Sequence, residues 1–432
     1  HMQHRYDNWV EGLNGDWLVS RQRFFGPPIP VWYPLDDQGE PRYDEPLLPE
    51  ESDLPIDPST DVPHGYDERQ RDQPGGFMGD PDVFDTWATS SLTPQIAGGW
   101  EEDDDLFGRV FPMDMRPQGH DIIRTWLFAT MTRSHHEFGC APWSHAALSG
   151  WILDPDRKKM SKSKGNVVTP LDLFETYGTD AVRYWASSAR PGVDAAFSED
   201  QMKVGRKLAN KLLNVTKFVL QFGAPSADTS LDDGVTEPVD RSMLAKLDAV
   251  IDDATAAFEA FDYARALERT EAFFWWFCDN YVELVKGRTY DEDRPEAADS
   301  AKRALREALG TVQRLFAPIL PFAAEEAWSW WNDSSVHSSS WPTPAGTGSS
   351  SFGDPALADA AIEVLTQVRR AKTEAKRSQR APVESLVVTA PSELHAAIDA
   401  GRSDLVDAGS IRDLQLVEGD SVSTVVTLAD DG

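Results

Sequence analysis

Cysteine is almost absent from this 432-residue chain, in which Cys140 and Cys278 are the only two. Two distant thiols exclude a disulfide-stapled secreted scaffold, and they fall short of the four clustered ligands of a structural zinc site. No structural zinc, and no protein-bound metal of any kind, is expected. Apolar runs of the roughly 20 residues that a membrane helix needs are missing too, so no membrane span is expected. The opening residues His1 to Tyr6 show neither the basic region nor the apolar stretch of a signal peptide, which makes the cytoplasm the expected compartment. Positive charge is scarce: 41 Lys and Arg face 72 Asp and Glu, a formal net charge of -31. Affinity for nucleic acid rests on cations, so any RNA contact must be local. The acidity reads as a solvated surface, and adaptation to high salt, which screens such self-repulsion, is the sharper alternative.

What is present is ample apolar area, 41% hydrophobic residues with 15 Trp, spread over more chain than one core of about 250 to 300 residues uses. At least two domains are expected. Residues 1 to about 34 read as strand and turn around Gly26-Pro27-Pro28, and 36–80, rich in Pro, Asp, Glu and Gly, as an irregular insertion. From Val83 to Phe197 short apolar runs alternate with helical ones, with Asp121 to Phe138 helical and Ala146 to Leu153 a buried strand, which suits an α/β layer fold. Long amphipathic segments follow from 201 to 332 and predict a helix bundle. Its aromatic run Phe273 to Tyr281 reads as core in preference to an RNA-stacking platform. Residues 333–353 are Ser, Thr, Gly and Pro-rich and read as a linker, and 354–432, opening on a basic-faced helix, as a small terminal α/β module.

The densest chemical signal is Arg157-Lys158-Lys159-Met160-Ser161-Lys162-Ser163-Lys164-Gly165-Asn166, which follows the apolar run Ile152-Leu153 and Asp154. Four lysines in seven positions, interleaved with hydroxyls and closed by Gly-Asn, make a mobile cationic loop suited to a polyphosphate. Upstream, Gln118-Gly119-His120-Asp121-Ile122-Ile123-Arg124-Thr125-Trp126 marks a strand-to-helix turn, the kind of place where ligands bind; Asp121 there suits either a ligand hydroxyl or a helix cap. Ile122 and Trp126, four residues apart, are expected on one helical face.

The run Lys159-Met160-Ser161-Lys162-Ser163 resembles the KMSKS signature of the class I aminoacyl-tRNA synthetases. Asp85-Thr86-Trp87 and Asp121-Ile122-Ile123 with Trp126 resemble segments of the valyl branch of that class; the isoleucyl branch is the alternative. The resemblance implies a fold: the α/β half of a Rossmann-type catalytic domain over 1–200, an all-α anticodon-binding helix bundle over 201–332, and the small C-terminal α/β module. It implies a reaction: ATP, with Mg²⁺, activates valine, which is then transferred to tRNA(Val). In it, Lys159 and Lys162 are catalytic. Gly119, Asp121, Ile152, Met160, Ser161, Lys162 and Ser163 meet ATP, and Trp87, Ile122 and Trp126 wall the amino-acid pocket. Arg206, Lys207, Lys211 and Lys217, clustered at the start of the bundle, are the expected tRNA contacts. The family's other signature, His-x-Gly-His, does not occur in the sequence. The chain is therefore expected to be a C-terminal half, inactive by itself, with the N-terminal half as its partner; a non-catalytic tRNA-binding fragment is the alternative from another class.

Overall fold

The computed structural model describes residues 2–224, 231–345 and 352–429, the side chains of Lys162 and Asp232 excepted. The chain forms two compact units, His1–Trp151 with Pro191–Val193, and Ile152–Arg190 with Asp194–Gly432.

In the first unit the expectation of strand and turn over residues 1 to about 34 holds for the short strands Ser20–Arg21 and Trp32–Pro34 and is corrected before them. Helix α1 spans Met2–Glu11. Met2, Tyr6 and Trp9 recur at helical spacing, and Tyr6 packs against the buried Trp126 and Trp143. The insertion at 36–80 is mostly turns, but it has a core of its own. Strands Trp32–Pro34 and Phe77–Gly79 pair antiparallel and bury Trp32 and Phe77. Arg71 lies over the Phe77 ring at 5.1 Å and donates to the carbonyls of Pro58 and Asp61, each at 2.8 Å. One guanidinium thus ties together a loop that has little regular backbone pairing.

Strands β1 (Met113–Gly119) and β2 (Trp143–Ser149) pair in parallel, joined by helix α2 (Phe128–Phe138), the strand-helix-strand unit that alternation predicts. The helix expected from Asp121 starts instead as a 3₁₀ turn, His120–Ile122, and a π turn, Ile123–Leu127. The buried strand expected over Ala146 to Leu153 is also corrected. β2 is largely exposed and stops at Ser149, and Gly150-Trp151 breaks the chain before β3 (Ile152–Leu153). The Trp151 ring packs edge-on to His120 at 4.7 Å.

In the second unit β3 pairs in parallel with β4 (Ala195–Ala196), and helices α3 (Pro170–Tyr177) and α4 (Thr179–Ser187) lie between them in sequence. Gly178, at φ +89°, makes the corner between the two helices, a conformation in which a side chain is strained. The bundle follows: α5 (Glu199–Leu220), α6 (Pro238–Glu259), α7 (Tyr263–Trp276), α8 (Pro295–Phe316) and α9 (Pro321–Ser329). Burial on α5 recurs at Met202, Leu208, Leu212, Val215 and Val219, the stripe that helical periodicity demands. Phe273, Phe274, Phe277 and Tyr281 are buried, so the aromatic run is core.

Helix α10 (Leu357–Glu374) leads into a three-stranded sheet. Central β5 (Val383–Ala390) pairs in parallel with β6 (Ile411–Glu418) and antiparallel with β7 (Ser423–Leu428). Helix α11 (Arg402–Gly409) precedes β6. The basic face of α10 is partly inward, since buried Lys372 gives its ammonium to the carbonyls of Gln379 and Gly409 at 2.9 and 2.8 Å. One apolar core runs from the bundle into this module. The linker segment packs on the bundle through Trp341, whose indole N–H donates to Thr255 at 2.9 Å; its residues 346–351 lie outside the described residues.

Candidate functional site

The lysine-rich loop leaves β3 at Asp154, whose carboxylate organises it. Asp154 Oδ1 accepts the Lys158 N–H at 2.7 Å, and Asp154 Oδ2 accepts Asn166 Nδ2 at 2.8 Å. Asn166 Oδ1 in turn accepts the Ser161 N–H at 3.0 Å. The Lys158 amide and then Asn166 hold the Asp154 carboxyl below its ordinary pKa, so the group stays ionised. Within this frame Lys158, Lys159, Ser163 and Lys164 are exposed, and Met160 and Ser161 are half-buried. Lys162 opens a 3₁₀ turn, Lys162–Lys164, and its side chain lies outside the described residues. Gly165, at φ +67°, turns the chain back so that Asn166 reaches Asp154. Ile152 is 49% exposed. The cations of Lys158, Lys159 and Lys164 on an exposed turn are of the kind that meets phosphate oxygens.

The remaining predicted residues lie in the first unit. β1 delivers Gly119 to its end, and the Asp121 carboxylate folds back over it: a Cβ on residue 119 would meet Asp121 Oδ1 at 2.6 Å. A side chain at 119 would displace that carboxylate from its present position. Asp121 itself is exposed, and buried His120 is fixed by a 3.1 Å hydrogen bond between its Nδ1 and the Ser149 carbonyl.

Trp87, Ile122 and Trp126 meet in one apolar cluster. Trp126 is its buried member, stacked on Trp143 at 5.4 Å, beneath the Arg116 guanidinium at 4.0 Å, with its indole N–H donating to Ser90 O at 2.7 Å. Trp87 is half-buried and borders a cavity of about 830 Å³ that Trp9, Trp17, Arg21, Asp85 and Arg124 also line. Asp85 holds this wall together. It caps the short helix Thr86–Ser90 through the Trp87 N–H, accepts the Trp17 indole N–H at 3.3 Å, and pairs with Arg21. From the sequence Arg21 suits substrate, RNA or an acidic neighbour, and that the neighbour is Asp85 was not legible because the two lie 64 positions apart.

Of the four bundle cations, Lys207 and Lys217 are exposed on α5. Arg206 donates to Thr176 O at 3.1 Å, and Lys211 pairs with Asp279 at 2.8 Å. Among the described residues no three His, Cys, Asp or Glu side chains group to hold a metal ion, and no helix is long and apolar enough to cross a membrane.

The family of class I tRNA synthetases (I, L, M and V) matches residues 1–198, and the anticodon-binding domain of tRNA ligase matches residues 240–388. The valine-tRNA ligase of Salinispora tropica is 58% identical over 98% of this chain and 51% of its own length. That of Thermobifida fusca is 61% identical over 96% of this chain and 47% of its own length. The chain thus spans about half the length of the curated relatives it matches. In fold it is similar to the LeuRS of the Agrobacterium radiobacter LeuRS-tRNA-LeuAMS ternary complex, with a TM-score of 0.59 at 21% identity over 79% of this chain and 45% of that one.

Proposed function

The chain belongs to the class I tRNA synthetases, and from that premise we propose that it works within a valine-tRNA ligase, activating valine with ATP and charging tRNA(Val). The observation that carries this is identity of 58 to 61% with valine-tRNA ligases over nearly the whole chain, which favours valine over isoleucine. On this reading residues 1–200 are part of a Rossmann-type catalytic domain, 201–332 read the anticodon, and 354–432 form an accessory module. The protein would act in the cytoplasm.

The chemistry is attack of the valine carboxylate on the α-phosphorus of ATP, with pyrophosphate leaving. Mg²⁺ arrives with the nucleotide and neutralises phosphate charge. The protein's share is positioning and charge stabilisation. Lys159 and Lys162 are assigned to the oxygens of the departing pyrophosphate. Met160, Ser161, Ser163 and Ile152 form the loop face against ATP, and Gly119 and Asp121 take the adenosine and its ribose. Trp87, Ile122 and Trp126 enclose the branched side chain of valine. Lys207 and Lys217, with Arg206 and Lys211 beside them, are assigned to tRNA.

Since the sequence carries the lysine loop but no His-x-Gly-His run, the chain alone would hold ATP from one side, and valine-dependent pyrophosphate exchange by it is expected at background. The test is a chimera in which this chain replaces the matching region of the Thermobifida fusca relative. It should charge tRNA(Val) with valine. A folded chimera that charges with isoleucine as well as with valine would overturn the assignment.

A further inference from the structure

Six of the twelve residues 369–380 are Lys or Arg and a single one, Glu374, is acidic, in a chain with 41 cations to 72 anions. This run closes helix α10 and forms the turn after it, and the fold accounts for only part of it. Cations at a helix C-terminus offset its free carbonyls, and buried Lys372 does so on Gln379 O and Gly409 O. Arg370 pairs with Glu374, and Arg377 donates to Ala429 O at 3.3 Å. Lys376 and Arg380 lie past the last turn of the helix, are exposed, and make no side-chain hydrogen bond or ion pair among the described residues.

The turn that carries them is closely bonded. The Lys376 N–H closes on Thr373 O at 2.9 Å and the Arg377 N–H on Lys372 O at 2.8 Å. Gln379 gives its amide to Arg369 O at 3.2 Å and to the Thr373 hydroxyl at 2.9 Å. Lys376 stands at φ +56°, where a β-carbon is strained and glycine or asparagine is the usual helix-ending residue. Its exposed side chain adds no packing there, only charge. The cationic run also continues onto the bundle. Arg369 pairs with Glu283 at 3.2 Å and donates to Asp279 O at 3.4 Å, Lys286 pairs with Glu283 at 2.7 Å, and Lys211 of α5 pairs with Asp279 at 2.8 Å. Three cations thus surround two carboxylates, and the excess positive charge joins the α5 cations to the turn.

Resting on the assignment of α5 to tRNA, we propose that the turn at 375–380 in the terminal module is a second RNA contact, in which Lys376 and Arg380 hold backbone phosphates of the strand that lies on α5. Lysine meets a phosphate as a point charge and arginine as a fork of donors. Arg370 is available beside them, because an exposed pair such as Arg370–Glu374 contributes little. The acidic surface elsewhere repels a polyanion and confines it to the cationic track. The turn has no aromatic ring on which a base could stack, and the Gln379 amide is already engaged, so the contact is to the backbone and indifferent to base sequence.

The experiment is binding of an anticodon stem-loop RNA of tRNA(Val) to the 432-residue chain, followed by fluorescence anisotropy over a salt series. The native chain is compared with the double variant Lys376→Gly, Arg380→Gln. Glycine removes the charge and the backbone strain together, so Tm should stay near native while binding weakens severalfold at low salt. The slope of log affinity against log salt should fall by about 2, one for each cation. Arg380→Lys, with Lys376 in place, should keep the native slope. An unchanged slope in the double variant overturns the proposal, even if affinity falls; a slope lowered by Lys207→Ala, Lys217→Ala would then leave the bundle reading standing. A native chain that binds no RNA overturns both.

Discussion

Asn166 reaches back across the lysine loop to Asp154, giving its Nδ2 to the carboxylate at 2.8 Å while its Oδ1 takes the Ser161 N–H at 3.0 Å. One amide thereby closes the ring from which the lysines project. No other uncharged side chain of that size offers both a donor pair and an acceptor.

In the chimera with the Thermobifida fusca relative, Asn166→Ala is therefore expected to lower valine-dependent pyrophosphate exchange roughly tenfold by loosening the position of the loop. Because the Asp154 pKa is lowered, its bridge persists above the carboxylate range and fails only on acidification below it. The pH profile from 6 to 9 should then be unaffected by Asp154 in the native loop. Asn166→Asp sets two carboxylates face to face, and equal exchange by native and Asn166→Asp chimeras would contradict the bridge.

Arg288 is buried between Asp240 of α6 and Asp404 of α11, bonded to both, and joins the bundle to the terminal module. Arg288→Met strands two buried carboxylates and is expected to cost ~3–5 kcal/mol in urea unfolding. Burial pushes Asp404 up to about 6 against the pull of Arg288, while Asp240 and Glu237 raise it further. A raised pKa contributes stability that is complete below the ordinary carboxylate range and lost as pH rises through 6. Asp404→Asn removes that dependence, so its stability relative to the native chain should improve by roughly 2 kcal/mol between pH 4.5 and 7.5. A difference that is constant over this range would contradict the titration.

Of the two tryptophans assigned to the pocket, Trp126 also carries the packing beneath it. Trp126 is buried and hydrogen-bonded, so Trp126→Ala is expected to cost ~3–5 kcal/mol of stability. Trp87 borders the cavity, so Trp87→Phe should raise KM for valine in the chimera while leaving Tm nearly unchanged. An apolar enclosure gains only about a hundredfold against a hydroxyl isostere, so threonine should be activated appreciably. The reverse pattern, with Trp87→Phe melting the protein and Trp126→Ala altering only KM, would reassign the pocket.

On α5, Lys207→Ala and Lys217→Ala should each weaken binding of the anticodon stem-loop RNA and lower the salt slope by about 1. Lys211, paired with Asp279, should matter less. Unaltered binding in the Lys207→Ala, Lys217→Ala double variant would place the RNA elsewhere.

Much of this was legible in the sequence because it is local. The lysine loop is a continuous run, and the bundle helices are written as stripes such as Leu208, Leu212, Val215 and Val219. What was not legible depends on partners far along the chain. Strands of two residues, such as Ile152–Leu153, exist only because Ala195–Ala196 lies beside them. Arg21 finds Asp85 across 64 positions, and Arg288 finds Asp404 across 116. The spacing of Ile122 and Trp126 predicts a shared α-helical face, yet the backbone there is 3₁₀ and then π, and the two meet through tertiary packing around Trp143.

The central claim is that the loop at 159–163 stabilises pyrophosphate departure, and valine-dependent pyrophosphate exchange by the chimera with and without Lys162→Ala tests it most directly. The native chimera should exchange, and Lys162→Ala should lower the rate by roughly a hundredfold or more, the scale of losing one transition-state contact. A rate unchanged by Lys162→Ala would show that the loop is a basic surface turn with no part in the chemistry.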